Sequence, residues 1–573
     1  MKGYGNYDKY PELEIKGFEA RQGYDSIAKK FALLAKGKER FVIVMDCYTQ
    51  VEQQKVREGL ASLGATWFFT DAAMTEKKEY NARIAPFVTN DRVFGVMNAL
   101  KFTDFIEEDK AEKLRAEIGA AKGVICVMGV CASLVASGDL TVYLDLARWE
   151  IQRRFARGAT NWNTDNAQAN KLAKFKQGFF VEWRMADRHK RNVMKTADYL
   201  LDTNDTAEPK LVSGEGWRKG LETFASRPFR LVPYFAPEVW GGQWMKEVCG
   251  LDKSEKNYAW AFDGVPEENS IFMRFGNVRV EVPSIDVVFY RPAQLLGNKV
   301  HARFGDEYPI RFDFLDTMGG QNLSLQVHPL TEYIQHTFGM HYTQDESYYI
   351  LDCEDNTHVY LGLKENVDKD KMLADLEKAQ RGECEFPAEK YVNKFPVKKH
   401  DHFLIPAGTV HCSGSDTMVL EISATPYIFT FKLWDWSRLG LDGLPRPVHI
   451  NHGKHVIQWD RDTEWVKKNL VNRFELINKE EGFTEERTGL HEREFIETRR
   501  MKITGKAAVK AEDSVTEANV VEGKGAIIES PTGAFEPYEV HYAETFIIPA
   551  SAGDYTVRPL DGEVTIIKAT VRG

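Results

Sequence analysis

Absences narrow the field first. The chain has no excess of positive charge: 75 Lys and Arg stand against 85 Asp and Glu, a formal net charge of −10. Nucleic-acid binding needs a positive face, so no nucleic-acid partner is expected. A phosphorylated small molecule needs only a few local cations and stays in play. The seven cysteines contain no Cys-x-x-Cys pair. An odd count in a large chain fits a reduced, cytosolic protein. There is no long apolar run. The longest, 123–136, contains Gly129 and Ser133 and is too short to span a bilayer. The first residues, Met1 to Ser26, lack the apolar core of a signal peptide. A cytoplasmic location and no membrane partner are therefore expected. What is present is ordinary for a globular protein, 43% hydrophobic and 28% charged residues. At 573 residues the chain has room for several domains.

The first third reads as α/β. Phe41 to Met45 is a continuous apolar run, as in a strand covered on both faces. Gln50 to Leu63 has a helical stripe at Val56, Leu60 and Leu63. Buried strands follow at 123–128 and 140–146, a polar helix at 147–157, and a charged helix then a strand within 182–203. Alternation of this kind predicts a parallel sheet. A linker is expected around Asp205 to Gly216, which holds Pro209, Gly214 and Gly216.

From Phe229 onward strands dominate. Val278 to Val282 alternates as a half-buried antiparallel strand should, and one helix is expected at 368–381, stopped by Gly382. Within this part four residues suggest a metal site: Gln326, His328, Glu346 and His411. Gln326 and His328 are two apart, so on a strand they share a face. Glu346 opens an aromatic and apolar run, and the turn Pro406-Ala407-Gly408 precedes His411. Imidazole, carboxylate and amide carbonyl suit zinc or another divalent first-row ion, one per chain.

The order and setting of these residues resemble the type I phosphomannose isomerases. Leu323 to Pro329, Tyr349 to Asp352, Leu361 to Lys364, Pro396 to Lys399, Ile405 to His411, Leu420 to Ile422, Trp434 to Arg438 and Trp240-Gly241-Gly242 carry the resemblance over roughly 228–573. It implies a cupin (jelly-roll) double barrel with a small helical insertion. The implied domains are a metal-binding barrel at 228–460 and a metal-free lobe at 461–573, which has His491 and His541 but no His-x-His. It implies a metal-dependent isomerase of mannose 6-phosphate and fructose 6-phosphate, with Arg438 catalytic and Gln344, Arg311 and Lys364 at the substrate. Where the family has lysines, this chain has Gln344 and, in the preceding strand, Asp313; His341 is a further candidate near the site. These departures keep two alternatives open: isomerisation of another sugar or sugar phosphate, and non-catalytic, metal-dependent sugar sensing. A sugar phosphate is the expected partner, and a homodimer is an open alternative.

The segment 1–225 more weakly resembles P-loop kinases of the uridine kinase type. Val142 to Asp145 with Arg153, Arg154 and Arg157, then Asp187 to Lys190 and Ala197 to Tyr199, carry the likeness. A phosphate loop needs glycines and a lysine after the first strand. No glycine occurs between Phe41 and Glu58, and Asp46 and Glu52 would repel a triphosphate. A degenerate, P-loop-like domain is therefore expected, structural or interacting rather than phosphorylating.

Overall fold

The computed structural model describes residues 4–572 except Asp442 and Leu490. The chain forms two compact units that are not continuous in sequence. One comprises 12–224 and 270–291; the other comprises 1–11, 225–269 and 292–573. A division into consecutive segments at 225 and 460 thus differs from the packing in three ways: 1–11 joins the second unit, 270–291 joins the N-terminal unit, and 461–573 shares a unit with 292–460.

The segment 270–291 has a physical reason to leave its neighbours. Its strands Ser270–Phe275 and Val278–Pro283 pair antiparallel, and the first pairs in parallel with Glu12–Glu14. Asp286, on the following helix, lies 2.5 Å from the Lys190 ammonium, which also holds Asp145 at 2.5 Å. All three are buried, so each charge depends on the others for compensation.

The core of the N-terminal unit is a sheet centred on Arg40–Cys47. Gly123–Val130 and Leu140–Asp145 flank that strand, with Thr66–Phe69 and Tyr199–Asp202 outside them, all parallel. Lys210–Ser213 then pairs antiparallel. The expected linker is therefore mostly structure: this strand runs straight into the helix Gly214–Phe224. Gly214 is required there by packing, because a Cβ would sit 1.9 Å from the Ala197 carbonyl oxygen. The helix expected from Gln50 begins only at Gln53 and ends at Gly59. Gln50 is left-handed at φ 66°, a conformation that cannot start a helix.

The second unit contains two two-sheet sandwiches. In the first, a six-stranded sheet runs His402–Ile405, Glu346–Cys353, Thr417–Ala424, Ile310–Asp316, Trp260–Gly264, Tyr234–Ala236. Its companion runs Val392–Pro396, His358–Leu363, His411–Ser413, Leu325–Val327, Phe431–Trp434. The helical insertion is Lys369–Gln380, N-capped by Asp368 and followed by Gly382 at φ 75°. The second sandwich pairs a six-stranded sheet, built on Ile496–Ile503, Val564–Val571 and Thr516–Glu522, with a four-stranded one. Met501, Val520, Ile528, Phe546, Ile548 and Ile566 fill the space between them.

Candidate metal centre

Both sheets of the first sandwich contribute to one buried cluster. Gln326 pairs in register with His411 in the five-stranded sheet, so their side chains leave the same face. Glu346 comes from the six-stranded sheet opposite. The turn before His411 is fixed by Gly408, at φ 89°, whose N–H donates to the His328 carbonyl at 2.9 Å. A Cβ there would meet the Val456 carbonyl oxygen at 2.9 Å and Gln458 at 2.6 Å, so a glycine is needed.

The ring orientations are set from behind. His411 Nδ1 lies 2.8 Å from the Thr409 carbonyl oxygen and His328 Nδ1 lies 3.4 Å from that of Phe429. Both Nε2 atoms therefore face Glu346: His411 at 2.6 Å from Oε1 and His328 at 3.2 Å from Oε2. Gln326 Nε2 is 3.2 Å from His411 Nε2, and a half-turn of that amide presents its carbonyl oxygen instead. All four residues are buried.

These residues fit a divalent cation. The donor atoms of His328, Glu346 and His411 lie within 4.8 Å of one another. His328 Nε2, His411 Nε2 and the Glu346 carboxylate have one another as partners, and the same lone pairs converge where an ion would sit. Burial pushes the Glu346 carboxyl up, but the two imidazoles prevail and hold it well below the usual carboxylate range. Two nitrogens, a carboxylate and an amide oxygen are the ligand types zinc accepts. Among the described residues no second such group occurs.

A polar wall adjoins the ligands. Gln344 Nε2 donates to Glu346 at 2.9 Å and to Glu421 at 3.1 Å. Arg311 donates to Asp313 at 3.0 Å, and to Glu421 and Ser423 at 3.4 Å each. Register explains the convergence: Arg311 lies opposite Ser423 and Asp313 opposite Glu421, while Ser423 and Glu421 lie opposite Glu346 and Tyr348. Burial, then Asp313 and Glu346, push the Glu421 carboxyl well above its ordinary value. Sequence reasoning missed the importance of Glu421, Ser423 and Tyr348. The one available signal was a glutamate inside an otherwise apolar strand, Thr417–Ala424.

The remaining candidates lie elsewhere. Arg438 pairs with Asp435 and donates to the Asn322 carbonyl at 2.7 Å. Arg446 approaches the same aspartate at 2.7 Å. Lys432 stands opposite Gln326 in register and so shares its inward face. Burial, then Arg446, lower its pKa to about 8. Lys364 is exposed, just past the end of His358–Leu363, and the fold does not bring it into the buried cluster. His341 is exposed too.

In the N-terminal unit, Asp46 of the strand Arg40–Cys47, Gln50 after it and Arg154 bond within the chain. Asp46 accepts from the Ser133 amide at 2.9 Å and lies 2.8 Å from His189 Nε2. Arg154 donates to the carbonyls of Gln50 at 2.8 Å and Thr203 at 2.6 Å.

Comparison with known proteins finds different likenesses for the first part of the chain and for the remainder. Residues 23–226 match a family model described as a domain of unknown function, DUF8485. The rest resembles curated isomerases. A probable mannose-6-phosphate isomerase of Bacillus subtilis, GmuF, is 24% identical over 338 residues, 58% of this chain and 96% of the relative. The mannose-6-phosphate isomerase ManA of the same organism is 24% identical over 335 residues, 58% of this chain and 93% of the relative. The crystal structure of a B. subtilis mannose 6-phosphate isomerase superposes with a TM-score of 0.50 at 19% identity, covering 99% of that chain. Over 60% of its length this chain shares the fold of that protein.

Proposed function

We propose that the chain is a metal-dependent aldose–ketose isomerase that interconverts mannose 6-phosphate and fructose 6-phosphate, with zinc as its metal. The observation that carries the reading is the His328–Glu346–His411 set with Gln326 beside it, bridging two sheets with its ligand atoms converging. The likeness to mannose-6-phosphate isomerases over nearly their full length supports the same reaction.

A divalent ion held there supplies a Lewis acid for the sugar oxygens at C1 and C2. The chain's own residues do the rest. Gln344 ties the ligand Glu346 to Glu421. Glu421 is a carboxyl outside the ligand set and is our candidate for the group that exchanges a proton with the sugar carbons. Arg438 and Arg446 share Asp435, and Arg446 also pairs with Glu238 at 3.3 Å, which leaves Lys432 as the cation in excess. That arrangement supports a phosphate site at this end, with Arg438 as an anion-binding group. The carbonyls around the site hold the histidine tautomers fixed.

The two sandwiches support the cupin double-barrel reading. For the N-terminal unit, a run of five parallel strands with the first of them, Arg40–Cys47, central supports a kinase-like ancestry. The committed cations and the absence of a glycine-rich turn support a domain that no longer transfers phosphate. Seven unpaired cysteines, five of them buried, support a reducing compartment such as the cytosol.

The test is turnover of mannose 6-phosphate by zinc-loaded and metal-stripped protein in deuterated water. Deuterium at C1 or C2 of the product is expected with metal and none without it. Binding of metal and sugar phosphate with no exchange would favour a sensor instead.

A further inference from the structure

Beside the metal ligands, four buried polar atoms lack a hydrogen-bond partner: Asp313 Oδ1, Arg311 Nε, Gln344 Oε1 and the Tyr348 hydroxyl. Buried groups left unpaired are costly. Four of them gathered on one face set out the hydrogen-bonding needs of a ligand.

Their chemistry describes that ligand. Arg311 Nε can only donate. Asp313 Oδ1 and Gln344 Oε1 can only accept while Asp313 is ionised, and the tyrosine hydroxyl does both. A set needing donors and acceptors together matches neighbouring hydroxyls, each of which is both. It does not match a phosphate, which only accepts. The wall has one guanidinium, and it is not free to grip an anion. The outer nitrogens of Arg311 are already committed to Asp313, Glu421 and Ser423. Its plane is further held against the Tyr427 ring, 4.9 Å to the centroid. A phosphate here would find donors only in Arg311 Nε and the Tyr348 hydroxyl and could satisfy neither Asp313 Oδ1 nor Gln344 Oε1.

We propose that Asp313, together with Gln344 and Tyr348, forms a hydroxyl-reading wall. Asp313 accepts a hydrogen bond from a sugar hydroxyl beyond C2 and keeps the phosphate on the opposite side, toward Lys432. Asp313 is thus a specificity residue of the pocket, and the ligand class is a sugar chain with free hydroxyls at C3 and C4. This rests on the isomerase reading for the identity of the sugar. It does not need that reading for the wall itself.

The experiment compares mannose 6-phosphate with its 3-deoxy and 4-deoxy analogues on zinc-loaded, full-length protein. Binding is read by calorimetry and turnover in parallel. Wild type should bind at least one deoxy analogue about 10²-fold more weakly, the loss of a hydrogen bond to a charged group. In Asp313→Asn that gap should shrink to less than about tenfold, with zinc content unchanged. Tyr348→Phe, which removes a hydroxyl without a protein partner, should narrow a gap too if Asp313→Asn fails to fold. Wild type that tolerates both analogues within about threefold, or a gap unchanged in the variants, would overturn the wall. Binding with the gap but without turnover would overturn the isomerase reading and leave the wall standing. No binding of any of the three sugars would overturn both.

Discussion

The two sandwiches of the second unit are built alike and filled differently. Each closes a space between two antiparallel sheets. In the second the inward positions are apolar: Val520 and Ala518 on one strand, Ile566 and Val564 on the next, Ile528 and Val540 across from them. In the first, the corresponding kind of position holds Arg311, Asp313, Glu346, Glu421, Gln326 and His411, all buried. One sandwich spends its interior on cohesion. The other spends it on polar groups that are expensive to bury and are left partly unsatisfied. The scaffold is common, and the chemistry lies in which side chains face inward.

The sharpest way to break this comparison is at the ligands. His411→Ala should abolish isomerase turnover, by more than about 10³-fold, since it removes both metal and the charge stabilisation it provides; a steady-state assay reads this. Arg438→Lys should lower turnover by roughly 10²-fold with zinc content unchanged, because a lysine lacks the planar fork that gives an anion two parallel hydrogen bonds. A silent Arg438→Lys would confine that arginine to holding Asp435 and the Asn322 carbonyl. In the second sandwich the expected loss is stability alone. Ile566→Ala should cost about 2–5 kcal/mol in denaturant unfolding, the usual penalty for a buried aliphatic truncated in a packed core. Zinc stoichiometry of the folded fraction should not change. The smallest effect joins the two sandwiches. Glu522 approaches His400 at 3.2 Å and pairs with Lys399. The His400 hydrogen bond, opposed by burial and helped by Lys399, lowers its carboxyl to about 2. A depressed folded pKa gives stability that is present above the unfolded value, near 4.3, and is lost as pH falls through about 2. The pair is more than a third exposed, so Glu522→Gln should flatten the acid limb of a melting-temperature profile only slightly.

Much of the site was legible because its ligands sit in short motifs with local meaning. Gln326 and His328 share a strand face by spacing, and Gly408 marks the turn before His411. Glu421 was not legible as a site residue. Its strand is buried throughout, so no alternation separates inward from outward positions, and only pairing with Asp313 and Tyr348 reveals its face. Lys432 was hidden for the same reason: its direction depends on register with Gln326. In the fold, parallel strands and the helix after Asp368 followed from apolar runs and a cap. The segment 270–291 misled because a clean alternating strand says which face is buried and nothing about which sheet it joins. Gly214 and Gly216 misled because glycine marks close packing as well as loops.

Metal stoichiometry tests the central claim most directly. The account predicts one zinc per purified chain by elemental analysis, falling to none in the double variant His328→Ala/His411→Ala. Two ions per chain, or one ion retained by the double variant, would contradict it.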